Sequence, residues 1–303
     1  MVVLLAGGTG GAKLARGLLD AVGDELTVIA NTGDDVEIYG AHVSPDPDLV
    51  TFWLADLIDA RGWGLAGDTF AVMNGLRELG DDVWLHLGDR DLAFCLRRAR
   101  RLAEGARLTD AIDEQRRALD VAARVLPMCD EPVRTKIENA TGWHGFQEFM
   151  IRERAAGPVT DVRLHGIDAA RLTPEVAEAI AGARAVIIGP SNPVISIGPI
   201  LAVPGLRHLL RAARAPVVAV SPLVRGAVLK GPTDAFLAWA GHPLSSEGIA
   251  THYDGLIDGL VADERADSVP TLVTDVEMAD PAARRRVAEE TLAFATALGD
   301  SPL

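Results

Sequence analysis

The apolar run Val2–Ala6 leads straight into Gly7-Gly8-Thr9-Gly10-Gly11, and after Ala12 and Lys13 a helical pattern runs from Leu14 to Val22. A strand, a turn of bare backbone and a helix N-terminus in that order form an anion cradle. Glycine allows close approach of a ligand, and the free N–H groups and dipole of the helix favour negative charge. A tight turn without a ligand is the plain alternative, but five near-consecutive small residues exceed what a turn needs.

Two familiar phosphate loops do not fit. The Walker spacing G-x-x-x-x-G-K-[ST] fails because Lys13 follows Ala12 and precedes Leu14. The dinucleotide spacing G-x-G-x-x-G, started at Gly8, would need a glycine where Lys13 stands, and the second strand, Leu26–Ala30, ends in Asn31 rather than an acid. Ordinary NAD binding is disfavoured, and a nucleoside diphosphate fits at least as well.

Charge sharpens this reading. The 303 residues carry a formal net charge of -14, so a phosphate site near the start implies a focused cleft and argues against nucleic acid as a partner. No apolar stretch reaches the roughly 20 residues of a membrane span, and no basic segment precedes the first apolar run, so we expect no membrane partner, no secretory leader and a cytoplasmic location. Cys95 and Cys129 have neither metal nor disulfide spacing. The 29 basic residues include only three lysines, Lys13, Lys136 and Lys230. Such a bias usually reflects coding composition, and against it each lysine is a candidate for a compact point charge on a phosphate. Lys136 is the weakest of the three.

Strand-like runs recur at Val2–Ala6, Leu26–Ala30, Val83–Leu87, Val159–Leu164, Ala185–Gly189, Val217–Val220 and Thr271–Thr274. Helical patterns lie between many of them, and a long one closes the chain at Pro281–Leu298. The alternation predicts an α/β fold: a Rossmann-like parallel sheet with helices on both faces. The rhythm breaks from about Pro127 to Leu164, which reads as a smaller inserted α+β lobe. The expected organisation is a core in two parts, 1–126 and 165–303, with the lobe at 127–164 between them.

Ligands of such sheets lie beyond the carboxyl ends of the strands, and the unusual motifs fall there. Asn31-Thr32-Gly33-Asp34-Asp35 and Ser44-Pro45-Asp46-Pro47-Asp48 place four carboxylates close after the second strand. Such acids can hold Mg²⁺ against substrate phosphates or accept a proton from a hydroxyl. A polar loop with Asx turns is the alternative for any one of them. His86-Leu87-Gly88-Asp89-Arg90-Asp91 reads as the end of a third strand. His86 is then a packed core histidine, Asp89 or Asp91 caps the following helix, and Arg90 points into the cleft. Gly189-Pro190-Ser191-Asn192-Pro193 and Ser196 form a polar shelf, with Asn192 suited to a base or ribose edge and the serines to a phosphate. Lys230-Gly231 repeats the pairing of lysine with a flexible anion-facing loop. Ser246, His252 and Tyr253 invite a nucleophilic triad, but no G-x-S-x-G elbow supports one.

In order along the chain, Gly7–Lys13, Asn31–Asp35, Ser44–Asp46, Gly88–Leu92, Gly189–Pro193, Ser196–Ile200 and Lys230–Pro232 closely resemble the 2-phospho-L-lactate transferases of coenzyme F-420 biosynthesis. The resemblance spans Met1 to about Thr274. It implies a Mg²⁺-dependent transfer of a phospho-acid unit from a guanosine-diphosphate-activated phospholactate or phosphoenolpyruvate to the ribityl hydroxyl of the deazaflavin Fo, releasing GMP. The Arg- and Ala-rich composition tilts the expectation toward phosphoenolpyruvate, and the resemblance suggests a homodimer. Gly7, Gly8, Thr9, Gly10, Gly11 and Lys13 would hold the donor diphosphate. Asp34, Asp35 and Asp48 would hold Mg²⁺ or orient the hydroxyl. Asp48 and Arg90 look like the deazaflavin contacts, and Asn192, Ser196 and Lys230 would serve the guanosine end. Pro47 and Glu277 depart from the family pattern. A related group, UDP-sugar-binding regulatory modules, shares a similar glycine loop but resembles G-G-S-S-G after its paired aspartates, where this chain has Val36-Glu37-Ile38-Tyr39-Gly40.

Overall fold

In the computed structural model, which describes residues 1–300, seven parallel strands form one sheet. They are β1 (Val2–Ala6), β2 (Leu26–Ala30), β3 (Arg124–Pro127), β4 (Ala185–Ile188), β5 (Val217–Val220), β6 (Gly259–Ala262) and β7 (Thr271–Val273), in the spatial order β7-β6-β5-β4-β1-β2-β3. The order reverses between β1 and β4, which opens a crevice beyond their carboxyl ends. Residues along β1 face opposite sides in turn: Val3 and Leu5 enter one apolar core with Ile29 and Ile188, while Val2, Leu4 and Ala6 enter another with Val28 and Ile187. A strand buried on both faces needs an unbroken apolar run, which is how β1 reads in sequence.

The strand expected at Val83–Leu87 is not formed. Leu85 and Leu87 are buried there, but they pack with Val43, Met73 and Leu92 in a separate cluster, and the strand beside β2 is β3. Apolarity placed these residues inside without saying which partner covers them. Two helices of this region, α3 (Ala71–Glu78) and α4 (Asp89–Ala103), exchange caps. The Asp89 carboxylate accepts the N–H groups of Ala71 and Val72, both at 2.9 Å, at the start of α3. Asp68 accepts those of Arg90 (2.8 Å) and Asp91 (3.1 Å) at the start of α4. Asp89 is therefore a cap, but of the preceding helix. A Cβ on Gly88 would lie 2.1 Å from the Asp68 carboxylate, so only glycine allows this exchange.

Residues Arg134–Asn139, Gly142–Gly145 and Asp161–His165 form a three-stranded antiparallel sheet, and the short helix Phe146–Ile151 follows its second strand. The third strand of this sheet overlaps the run expected at Val159–Leu164. Among the described residues no single helix is long and apolar enough to cross a membrane.

Candidate active site

The glycine turn sits where the sheet order reverses. Helix α1 (Gly8–Val22) starts immediately after Gly7, and Gly8 has φ +61°. A Cβ on Gly10 would lie 2.1 Å from the Pro190 carbonyl oxygen, and one on Gly11 2.8 Å from Ser191 Oγ. Those two glycines let α1 press against the segment after β4, a packing role beside any ligand role. Ser191 Oγ donates to the Gly7 carbonyl at 2.6 Å, which ties the ends of β1 and β4 together.

A cavity of about 410 Å³ opens over this turn. Gly7, Gly8, Thr9, Gly10, Lys13, Asn192, Ser196 and Lys230 all line it, so all but one of the expected donor-binding residues meet at one place. The exception, Gly11, faces the packing contact. Asn192 has a local duty too: its Oδ1 accepts the N–H groups of Val194 (2.9 Å) and Ile195 (3.2 Å). Burial, then repulsion from Lys230 and Arg284, lowers the pKa of Lys13, and a bound anion would relieve that repulsion.

The four aspartates do not form one cluster. Asp34, Asp35, Asp46 and Asp48 are each at most 7% exposed, so each needs compensation. Helix α2 (Pro45–Leu54) begins at Pro45. Pro47 falls in its first turn, where a missing N–H costs nothing, so this departure from the family pattern is locally neutral. Two residues apart on a helix point to different sides. Asp46 Oδ1 accepts the Gly8 N–H at 2.7 Å and its Oδ2 accepts from Asn31 Nδ2 at 2.9 Å, at the start of α1. Asp48 turns the other way and pairs with Arg98. The adjacent acids Asp34 and Asp35 also diverge. Residues Val36–Ile38 and Ala41–Val43 pair as a hairpin whose turn, Tyr39-Gly40, has positive φ at both positions. That hairpin sets His42 Nε2 at 2.9 Å from Asp35 Oδ2, while Ser44 Oγ donates to Asp35 Oδ1 at 2.8 Å. Asp34 Oδ1, by contrast, is buried without a hydrogen-bond partner.

A second cavity, of about 480 Å³, has Asp46 in its wall. Phe52, Trp63, Phe70 and Trp84 give it aromatic walls, and Asp46, Asp48, Asp68 and Asp91 are its acids. His86, expected in the core, is on its wall, with its ring stacked on Phe70 at 4.5 Å. Arg90 is not: its guanidinium donates to the Ala66 carbonyl at 3.0 Å.

The family description for 2-phospho-L-lactate transferase CofD matches residues 2–291. The chain belongs to that family. It is 40% identical over 266 residues to the 2-phospho-L-lactate transferase of Methanosarcina mazei, with 87% of each chain covered. It is 42% identical over 310 residues to the phosphoenolpyruvate transferase of Kitasatospora aureofaciens, covering 95% of this chain and 97% of that one. Two crystal structures from Bacillus halodurans superpose with TM-scores of 0.60 and 0.61 at 21% and 19% identity, covering 95% and 96% of this chain and 89% and 98% of theirs. Likeness at that identity speaks for the fold alone.

Electrostatics separate the acids of this CofD-family site. Burial, reinforced by Asp46 and Asp35, raises the pKa of Asp34 well above the usual carboxylate range; Asn31 and Thr135 oppose this without completing a bond to Oδ1. Burial also raises Asp46, from 3.8 to about 6, against the Gly8 and Asn31 hydrogen bonds. Asp91 is pushed up to about 7 by burial and then by Asp48. For Asp48 burial outweighs the opposing Arg98 charge, so its pKa is raised too. Burial disfavours the charged form of His42, but its bonds to Asp35 and Glu37 prevail and raise its pKa.

Sequence reasoning gave no role to Arg98, which is fully buried and also donates to the His42 carbonyl (3.0 Å) and Gln115 Oε1 (2.9 Å). It lies among Arg97, Arg100 and Arg101, which look alike in a string. The available signal was spacing, since Leu92, Cys95 and Arg98 recur every three residues and are the buried face of α4. Asp46 was noted only as one acid of a group. What distinguishes it is tertiary: it lines the second cavity while accepting the N–H of Gly8 in the wall of the first.

Proposed function

We propose that this chain transfers the phospho-acid unit of a guanosine-diphosphate-activated phospholactate or phosphoenolpyruvate to the ribityl hydroxyl of the deazaflavin Fo, releasing GMP, in coenzyme F-420 biosynthesis. The observation that supports it most directly is a pair of cavities linked through Asp46, which lines one and accepts the N–H of Gly8 in the wall of the other. One has bare backbone and two lysines for a diphosphate, and the other has aromatic walls for a flat ring system.

In this reading the first turn of α1, Lys13 and Lys230 hold the donor diphosphate and stabilise charge on the departing oxygen. Ser196 and Asn192 lie toward the guanosine, and Asp48 toward the deazaflavin. The ribityl oxygen attacks the phosphorus that carries the three-carbon acid. A phosphodiester bond forms there, the bond from that phosphorus to the GMP oxygen breaks, and the hydroxyl proton passes to Asp46. Asp46 is suited to this because it touches the glycine turn and lines the acceptor cavity.

The donor set fits magnesium. A buried, unpartnered carboxylate oxygen is what a hard cation takes up, so Asp34 would hold the ion beside Asp46. Asp35 and Asp48 serve less well, since His42, Ser44 and Arg98 already engage them. Magnesium, when bound, supplies charge neutralisation on the diphosphate oxygens. A homodimer and a cytoplasmic location belong to the same proposal.

Incubation with Fo, Mg²⁺ and each activated donor, followed by mass spectrometry, tests the reaction. Absence of a phosphodiester product with both donors would refute it. If Asp46 takes the proton, kcat/KM should rise with pH through an apparent pKa near 6 and then level off. A profile that stays flat from pH 5 to 8 would remove Asp46 from that role.

A further inference from the structure

All three lysines of the chain lie on walls of one composite hollow: Lys13 and Lys230 in the donor cavity, and Lys136 in a third cavity of about 290 Å³. This third cavity adjoins both others. It shares Phe146 with the donor cavity and Trp84 and Gln147 with the aromatic one, and Asp34 is in its wall. It is the smallest of the three, with less room than the nucleotide or ring cavities.

Its walls also carry Asp35, Glu37, Glu148 and Arg134, but these are engaged. His42 and Ser44 hold Asp35, Glu37 pairs with Arg134 and His42, and Glu148 accepts the Gly145 N–H at 3.0 Å. Lys136 differs. Its ammonium is in none of the hydrogen bonds or ion pairs among the described residues, and it stands near Gly145, whose missing side chain leaves it room.

We propose that this third cavity receives the carboxylate of the donor's three-carbon acid, with Lys136 as its countercharge. The inference rests on the transferase reading above. If the reacting phosphorus lies by Asp34 and Asp46, the carboxylate one carbon beyond its ester oxygen must lie within a few ångströms. The third cavity opens at that point and carries the unpaired cation an acid requires.

The test compares donors with and without the carboxylate. Binding of guanosine-diphosphate-activated phosphoenolpyruvate and phospholactate, and of the ethyl ester of GDP, is measured by titration calorimetry on wild type, Lys136→Gln and Lys136→Arg. Lys136→Gln should weaken the two carboxylated donors roughly 10- to 100-fold. It should leave the ethyl ester unchanged, which also reports that the variant is folded, and Lys136→Arg should keep most of the affinity. Equal losses on all three ligands, or no loss on any, would overturn the proposal. If wild type binds and uses the carboxylated donors while Lys136→Gln binds them as well, the transferase reading stands and this inference alone falls. If wild type neither binds nor uses them, both fall.

Discussion

Asp34→Asn is expected to lower kcat by roughly 10²- to 10⁴-fold while raising the melting temperature of the ligand-free protein by about 2 °C or more at pH 7. The two effects have one cause. Asp34 is buried, its Oδ1 has no partner, and its neighbours Asp46 and Asp35 are also acids. Its folded pKa is raised, so holding it ionised costs stability. That cost is absent below the ordinary carboxylate pKa and grows as pH rises toward the folded value. Asparagine keeps the shape and removes the cost, and with it the charge that would hold magnesium against the diphosphate. The check is a thermal melt at pH 5 and pH 7 beside steady-state kinetics. The stability gain should be larger at pH 7. A variant that melts lower at pH 7, or turns over at the wild-type rate, would contradict this account.

Arg98→Ala should be the most damaging single change to stability, at about 3–5 kcal/mol, seen as a melting temperature lower by on the order of 10 °C. Arg98 has no exposed surface, pairs with Asp48 and donates to His42 and Gln115. Alanine would leave Asp48 buried with Asp91 and no cation between them, and Asp91 is already pushed up to about 7. The double change Arg98→Met with Asp48→Leu removes both charges and is expected to recover part of the loss. Urea unfolding of the wild type, both single variants and the double variant would show this. A loss below about 1 kcal/mol for Arg98→Ala, the scale of an exposed pair, would mean that the pair is solvated after all.

The central strands, the glycine turn and the helix after it were legible because each depends on residues adjacent in the chain. An unbroken apolar run must be buried on both faces, and a row of glycines permits what side chains forbid. The run at Val83–Leu87 misled because burial does not name a partner: Leu85 and Leu87 are inside, but against Val43 and Met73 rather than beside β2. That these residues gather was largely readable, since Gly7–Gly10, Lys13, Asn192, Ser196 and Lys230 all line the cavity over the glycine turn. Arg90 was not placed correctly, because a guanidinium at a helix start can turn to a nearby carbonyl as easily as into a cleft.

By itself the sequence determined the class of fold, the glycine turn at the start of a helix and the presence of acids near it, all set by local periodicity, backbone freedom and residue chemistry. The tertiary structure alone decided how those acids divide. Asp35 and Asp48 are engaged by His42 and Arg98, brought in by a hairpin and by α4, while Asp46 accepts the N–H of Gly8 in the glycine turn and Asp34 keeps a buried oxygen without a partner. The energy of a buried charge depends on what the rest of the chain folds against it, and linear spacing carries no record of that partner.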